Sequence, residues 1–113
     1  MTGRLPAKTL VSALIRRVNQ AGGFASVLAS GEDMGGMILV QTLERGRFSG
    51  FFERMTDLDG RASLVRCGPP VDSDPPTLSA YLNRRRSSDP DLWIVELDIV
   101  DAERFAAETI AMG

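Results

Sequence analysis

A chain of 113 residues with 43% hydrophobic and 25% charged side chains, and a net charge of only −2, has the make-up of one folded domain spanning 1–113 rather than of a disordered segment. It has no histidine and a single cysteine, Cys67, which excludes an intrachain disulfide, cysteine-based zinc and iron–sulfur sites, and the Ser/His/Asp and Cys/His constellations. No apolar run approaches the roughly 18 residues of a membrane span and the start MTGRLPAKTL lacks a signal-peptide core, so a cytoplasmic protein without a membrane segment is expected.

Pro6 can open a helix, and Leu10, Val11, Leu14, Ile15 and Val18 then recur at helical spacing until Gly22 and Gly23 stop it. FASVLAS and MILVQTLE read as two antiparallel strands, joined by the polar, glycine-rich GEDMGG as a hairpin connection. GFFERMT and RASLVRC flank DLDG, whose Asp59-Gly60 predicts a second hairpin.

The proline-rich GPPVDSDPP is an exposed connection, and Asp74 with Pro75 forms the start of a second helix. Leu78, Tyr81 and Leu82 are its expected buried side, and Pro90 ends it. LWIVEL is apolar at positions facing both ways and belongs inside the sheet, with Trp93 in the core. Asp101 is the expected cap of a last helix whose Ala102, Phe105, Ala106, Thr109 and Ile110 line one side.

The order α-β-β-β-β-α-β-α predicts an α+β domain, with a mostly antiparallel sheet of about five strands, flanking helices, and one face of the sheet covered. LVSALIRRVNQAGGFASVLASG and DPDLWIVELDIVDAERF resemble a family of short alphaproteobacterial proteins described only as a domain of unknown function. The resemblance covers nearly the whole chain and implies a stand-alone bacterial protein, without an activity, cofactor or site to transfer.

The acids of the second stretch allow two readings. Glu96 and Asp98 share one strand face, and with Asp101 they could hold a hard cation in a metal-dependent phosphate or phosphodiester hydrolase. The plainer reading covers each acid separately: Asp89 and Asp91 form a turn around Pro90, Asp101 caps, and Glu103 favours a first helical turn. The carboxylate-x-lysine pair of restriction-type nuclease cores is missing, Lys8 being the only lysine.

QAGGFA formally matches the pyrophosphate loop of acetyltransferases, but it closes a helix instead of opening one, which is the wrong polarity for phosphate. GEDMGG lacks the lysine and hydroxyl of a P-loop. Cys67 reads as a small residue ending a strand. No catalytic residue, cofactor or metal is assigned.

Basic residues number seven against four acids up to Arg54, and six against eleven beyond it. Arg84, Arg85 and Arg86, with Arg16 and Arg17, are the candidate binding residues, and the strand edges around Phe48 to Phe52 are the alternative contact. Replacing the three consecutive arginines together is expected to cost only about 1 kcal/mol, as a solvated helix end would. A sequence pI near 5.1 disfavours a polyanion, so a protein partner or the chain itself is favoured over nucleic acid. The expected function is a small non-catalytic interaction module, the alternatives being the hydrolase and a nucleic-acid binder through those five arginines.

Overall fold

The structure, a computed structural model, describes residues 5–111. Helix α1 (Ala7–Gln20) follows Pro6, whose φ of −57° suits a helix entry. Its Leu10, Val11, Leu14 and Val18 are buried along one stripe. Gly22 then takes a φ of +90° and turns the chain back.

Five strands follow the predicted order: β1 (Phe24–Ala29), β2 (Ile38–Glu44), β3 (Arg47–Thr56), β4 (Ala62–Cys67) and, after helix α2 (Pro75–Ser88), β5 (Trp93–Asp98). Helix α3 (Ala102–Ala106) continues into a wide π-helical turn, Ala107–Ala111. No helix among the described residues is long and apolar enough to cross a membrane.

In space the strands run β1-β5-β2-β3-β4. Strand β5 pairs antiparallel with β1 and parallel with β2, and the remaining neighbours are antiparallel, so the sheet is mixed but mostly antiparallel. The expected hairpin between β1 and β2 therefore does not form, although the two strands do run in opposite directions. Strand β5 is apolar on both faces and needs an interior position, and it takes the place between them. The intervening loop crosses the entry of β5: Glu32 N–H donates to the Asp91 carbonyl at 3.0 Å. Gly31 and Gly36 serve close approach here, since a Cβ at either would collide with that carbonyl oxygen.

The first true hairpin joins β2 to β3 through Arg45 and Gly46, with φ of 54° and 80°, the left-handed pair that a two-residue turn requires. The second, around Asp59-Gly60, forms as expected between β3 and β4.

Both faces of the sheet are covered, not one. Ile38, Val40, Trp93, Val95 and Leu97 pack with α1 and α3, while Leu39, Phe51, Leu92 and Ile94 lie against Tyr81 of α2. Strand alternation makes these opposite faces. Strand β3 lies between β2 and β4 with Phe51 and Phe52 buried, but β4 pairs only with Phe51–Thr56, so the Phe48–Gly50 part of that stretch has a strand on its β2 side alone.

Candidate functional site

The acidic stretch resolves into separate structural roles. The Asp89 side chain accepts from Asp91 N–H at 3.1 Å, and its carbonyl accepts from Leu92 N–H at 3.1 Å, which closes the turn around Pro90. Glu96 opens onto a cleft with Gln41, Phe48 and Asp72. Asp98 faces a second depression with Gly23, Phe24 and Arg45, and its Oδ2 accepts from Gly46 N–H at 2.9 Å. Asp101 lies in a third, with Glu44, Arg66 and Arg104.

Glu96, Asp98 and Asp101 thus do not converge, and among the described residues no group of three His, Cys, Asp or Glu is placed to hold a metal ion. Asp101 does not act as the expected side-chain cap either. Its φ of 61° turns the carboxylate away, and its carbonyl accepts from Arg104 N–H at 2.9 Å instead.

The five arginines are likewise dispersed. Arg16 and Arg17 sit on α1 and Arg84 to Arg86 on α2, across the sheet from one another, so they form no single patch. Arg17 pairs with Glu108 at 2.8 Å and donates to Thr109 Oγ1 at 2.7 Å. Arg86 donates to the carbonyls of Ser30 and Leu92, each at 2.8 Å, and clasps the end of α2 to the β1–β2 loop and to the residue before β5.

Arg85 donates to Tyr81 Oη at 2.7 Å and to Glu53 Oε1 at 2.5 Å, with both members of the ion pair mostly buried. Arg84 is exposed, its guanidinium 5.9 Å from the centre of the Tyr81 ring. Arg16 is exposed as well, on the flank of α1 that carries Ser12, Ile15, Asn19 and Gln20.

The Glu53–Arg85–Tyr81 chain continues to Cys67 and ties α2 to β3 and β4. Burial, helped by the neighbouring Cys67, pushes the Tyr81 phenol up to about 12. Burial also raises Cys67, outweighing the Tyr81 hydrogen bond. Both groups are protonated near neutrality, so neither is a ready nucleophile. Burial would lower the Arg85 pKa, but its hydrogen bonds to Glu53 and Tyr81 raise it overall, keeping the guanidinium charged. This cluster clamps α2 onto the sheet.

The two sheet edges differ in kind. Strand β4 carries Arg66, follows Arg61 and is followed by Pro69 and Pro70, all features that discourage a further strand. Strand β1, with the sequence FASVLA, has no charge and no proline. It leaves Phe24 77%, Leu28 47% and Val27 38% exposed, beside a backbone edge that no strand among the described residues pairs. Its register slips between Val27 and Ala29, so Leu28 is the residue β5 skips.

Reading FASVLAS as half of a hairpin misses this edge. The available signal is composition: an apolar, uncharged strand with neither a charged nor a proline guard.

The family described as "Protein of unknown function (DUF1491)" matches residues 5–107. A crystal structure of a DUF1491 family protein from Caulobacter crescentus CB15 is similar with a TM-score of 0.79 and 32% identity, over 90% of this chain and 94% of that one. An NMR structure of a DUF1491 family protein from the same organism gives 0.74 and 34%, over 91% and 94%. The solution structure of a protein from A. tumefaciens gives 0.65 and 33%, over 85% and 86%. No curated protein matches the chain. With this family matched across nearly the whole described chain, and its members sharing the fold at a third of identical positions, the chain belongs to the DUF1491 family.

Proposed function

We propose that this protein is a non-catalytic interaction module of the cytoplasm that accepts an extended segment of a protein partner as an added strand on β1. The supporting observation is the edge itself, which carries neither charge nor proline, its bulge at Leu28 being its only irregularity. Its open N–H and C=O groups are a template for an added strand, and the exposed Phe24, Val27 and Leu28 gain by being covered. Arg16, exposed on the α1 helix that neighbours β1, offers a charged side chain to the same partner. Arg84 contributes only on the opposite face. The lone thiol of Cys67 fits a reducing compartment.

The test is affinity capture with the wild-type chain and with Val27→Lys, followed by amide exchange on the captured complex. Slowed exchange confined to the β1 amides, together with loss of capture by the variant, is the expected result. Unchanged β1 exchange in every complex recovered would reject the reading.

A further inference from the structure

We infer that the cleft between the α2-covered face of the sheet and the segment 71–75 leading into α2 binds a small organic cation with a planar amidinium or guanidinium head, Glu96 being its counter-charge. The inference stands apart from the β1-edge reading and does not depend on it. Four carboxylates among the described residues are partly buried, and three of them have a donor: Glu53 from Arg85, Asp89 from the Asp91 N–H, and Asp98 from the Gly46 N–H. Glu96, on the interior strand β5, has none. Leaving a half-buried carboxylate without a donor is costly, and a cation that donates to it removes that penalty.

Gln41 is the second observation. It is the direct partner of Glu96 across the parallel β2–β5 pair, so the two side chains rise from the same face of the sheet on strands about 4.8 Å apart. Its Oε1 is the only buried side-chain oxygen or nitrogen among the described residues without a hydrogen-bond partner, and no bond among them fixes its amide. The amide is therefore free to turn its oxygen toward a donor held by Glu96 without breaking an existing bond. Two neighbouring acceptors on one face match the several N–H groups of a planar fork, whereas an ammonium offers a single compact charge.

The surroundings define the rest of the ligand. The cleft holds about 800 Å³ and is walled by Leu43, Phe48 and Leu78, so a short apolar body attached to the head lies against hydrocarbon and one aromatic ring. Phe48 is a fixed wall, its ring stacked 4.9 Å from that of Phe51. Asp72, exposed along the same cleft, adds a second negative charge. Arg47 also lines it but is exposed and forms no ion pair with Glu96, so the chain's own cation leaves the site open.

The experiment titrates the full chain with benzamidinium and follows backbone and side-chain amide NMR shifts, with neutral benzamide, of nearly the same shape, as the control. The expected result is saturable binding in the millimolar range or tighter, with shifts concentrated at Gln41, Phe48, Glu96 and residues 71–75. Benzamide should bind at least tenfold more weakly. Glu96→Gln should weaken benzamidinium at least tenfold and Gln41→Leu at least threefold, while Arg47→Gln should leave binding unchanged or tighter.

No saturable binding, shifts elsewhere on the chain, or benzamide binding as well as the cation overturns the inference, as does undiminished binding by Glu96→Gln or Gln41→Leu. Binding that appears only in Arg47→Gln overturns it too, because the chain's own arginine is then the occupant of Glu96. If the Glu96→Gln variant does not fold, the comparison of benzamidinium with benzamide on the wild-type chain decides alone.

Discussion

The indole Nε1 of Trp93 donates to the backbone carbonyl of Glu32 at 2.8 Å, joining the start of β5 to the glycine-rich loop that passes over it. The same loop is held at its other end, where Ala7 N–H donates to the Met34 carbonyl at 3.1 Å and Lys8 N–H to that of Asp33 at 2.9 Å. Trp93 is therefore both a core residue and the bolt of the connection that separates β1 from β2.

Trp93 is 5% exposed, so Trp93→Ala should cost about 3–5 kcal/mol through the cavity it leaves. Trp93→Phe keeps most of the ring contact and loses the bond to Glu32, and should cost about 1 kcal/mol. Chemical denaturation measures both. Native tryptophan emission should be blue-shifted and poorly quenched, because the only indole in the chain is buried.

The three consecutive arginines should behave unequally. Arg84→Gln should change stability by less than about 0.5 kcal/mol, since its side chain is exposed. Arg86→Gln loses the charge-assisted bonds to Ser30 and Leu92 and should cost about 2 kcal/mol. Arg85→Gln strands a mostly buried Glu53 and should cost a similar amount. The triple replacement is then far more damaging than the roughly 1 kcal/mol of a solvated helix end. Urea denaturation of the single and triple variants separates these contributions.

What was legible in the chain was local. Asp74 accepts from Thr77 N–H at 3.0 Å and starts α2 where Asp-Pro signals a cap, and the stripe from Leu10 to Val18 fixes the buried side of α1. The apolar character of LWIVEL correctly placed β5 inside the sheet. Its neighbours were not legible, because the pairing of Val27 with Val95 joins residues far apart in sequence and has no local signature.

Arginine chemistry is ambiguous for a related reason. A guanidinium that holds two backbone carbonyls, as Arg86 does, is spelled like one that awaits a ligand. The β1 edge was readable in principle from its composition, but only once its other neighbour was known.

Tyr81 is the chain's single tyrosine, so its ultraviolet titration reports one group. Burial, with the Cys67 neighbour adding to it, favours the protonated phenol in the folded state, and ionisation should occur near 12 instead of the ordinary 10. The raised value means that the fold gains stability from this group fully below pH 10 and loses it as pH rises toward 12. Arg85→Gln removes the hydrogen bond that favours the phenolate and should not bring the value down. Titration of wild-type Tyr81 near the ordinary 10 would show that the clamp is open in solution.

Asp101 offers a stabilising change. It holds a left-handed φ of 61° without a side-chain cap, and its nearest cation, Arg104, is 3.8 Å away with both side chains well exposed. The conformation works against the residue, and so exposed a pair returns little. Asp101→Gly should relieve the strain and raise stability by up to about 1 kcal/mol, even though glycine adds entropy to the unfolded chain. Asp101→Ala keeps the strained φ and loses whatever local hydrogen bonding favours aspartate there, so it should be destabilising. Opposite signs for the two variants in thermal denaturation would establish that backbone conformation, and not a carboxylate ligand role, sets the demand at this position.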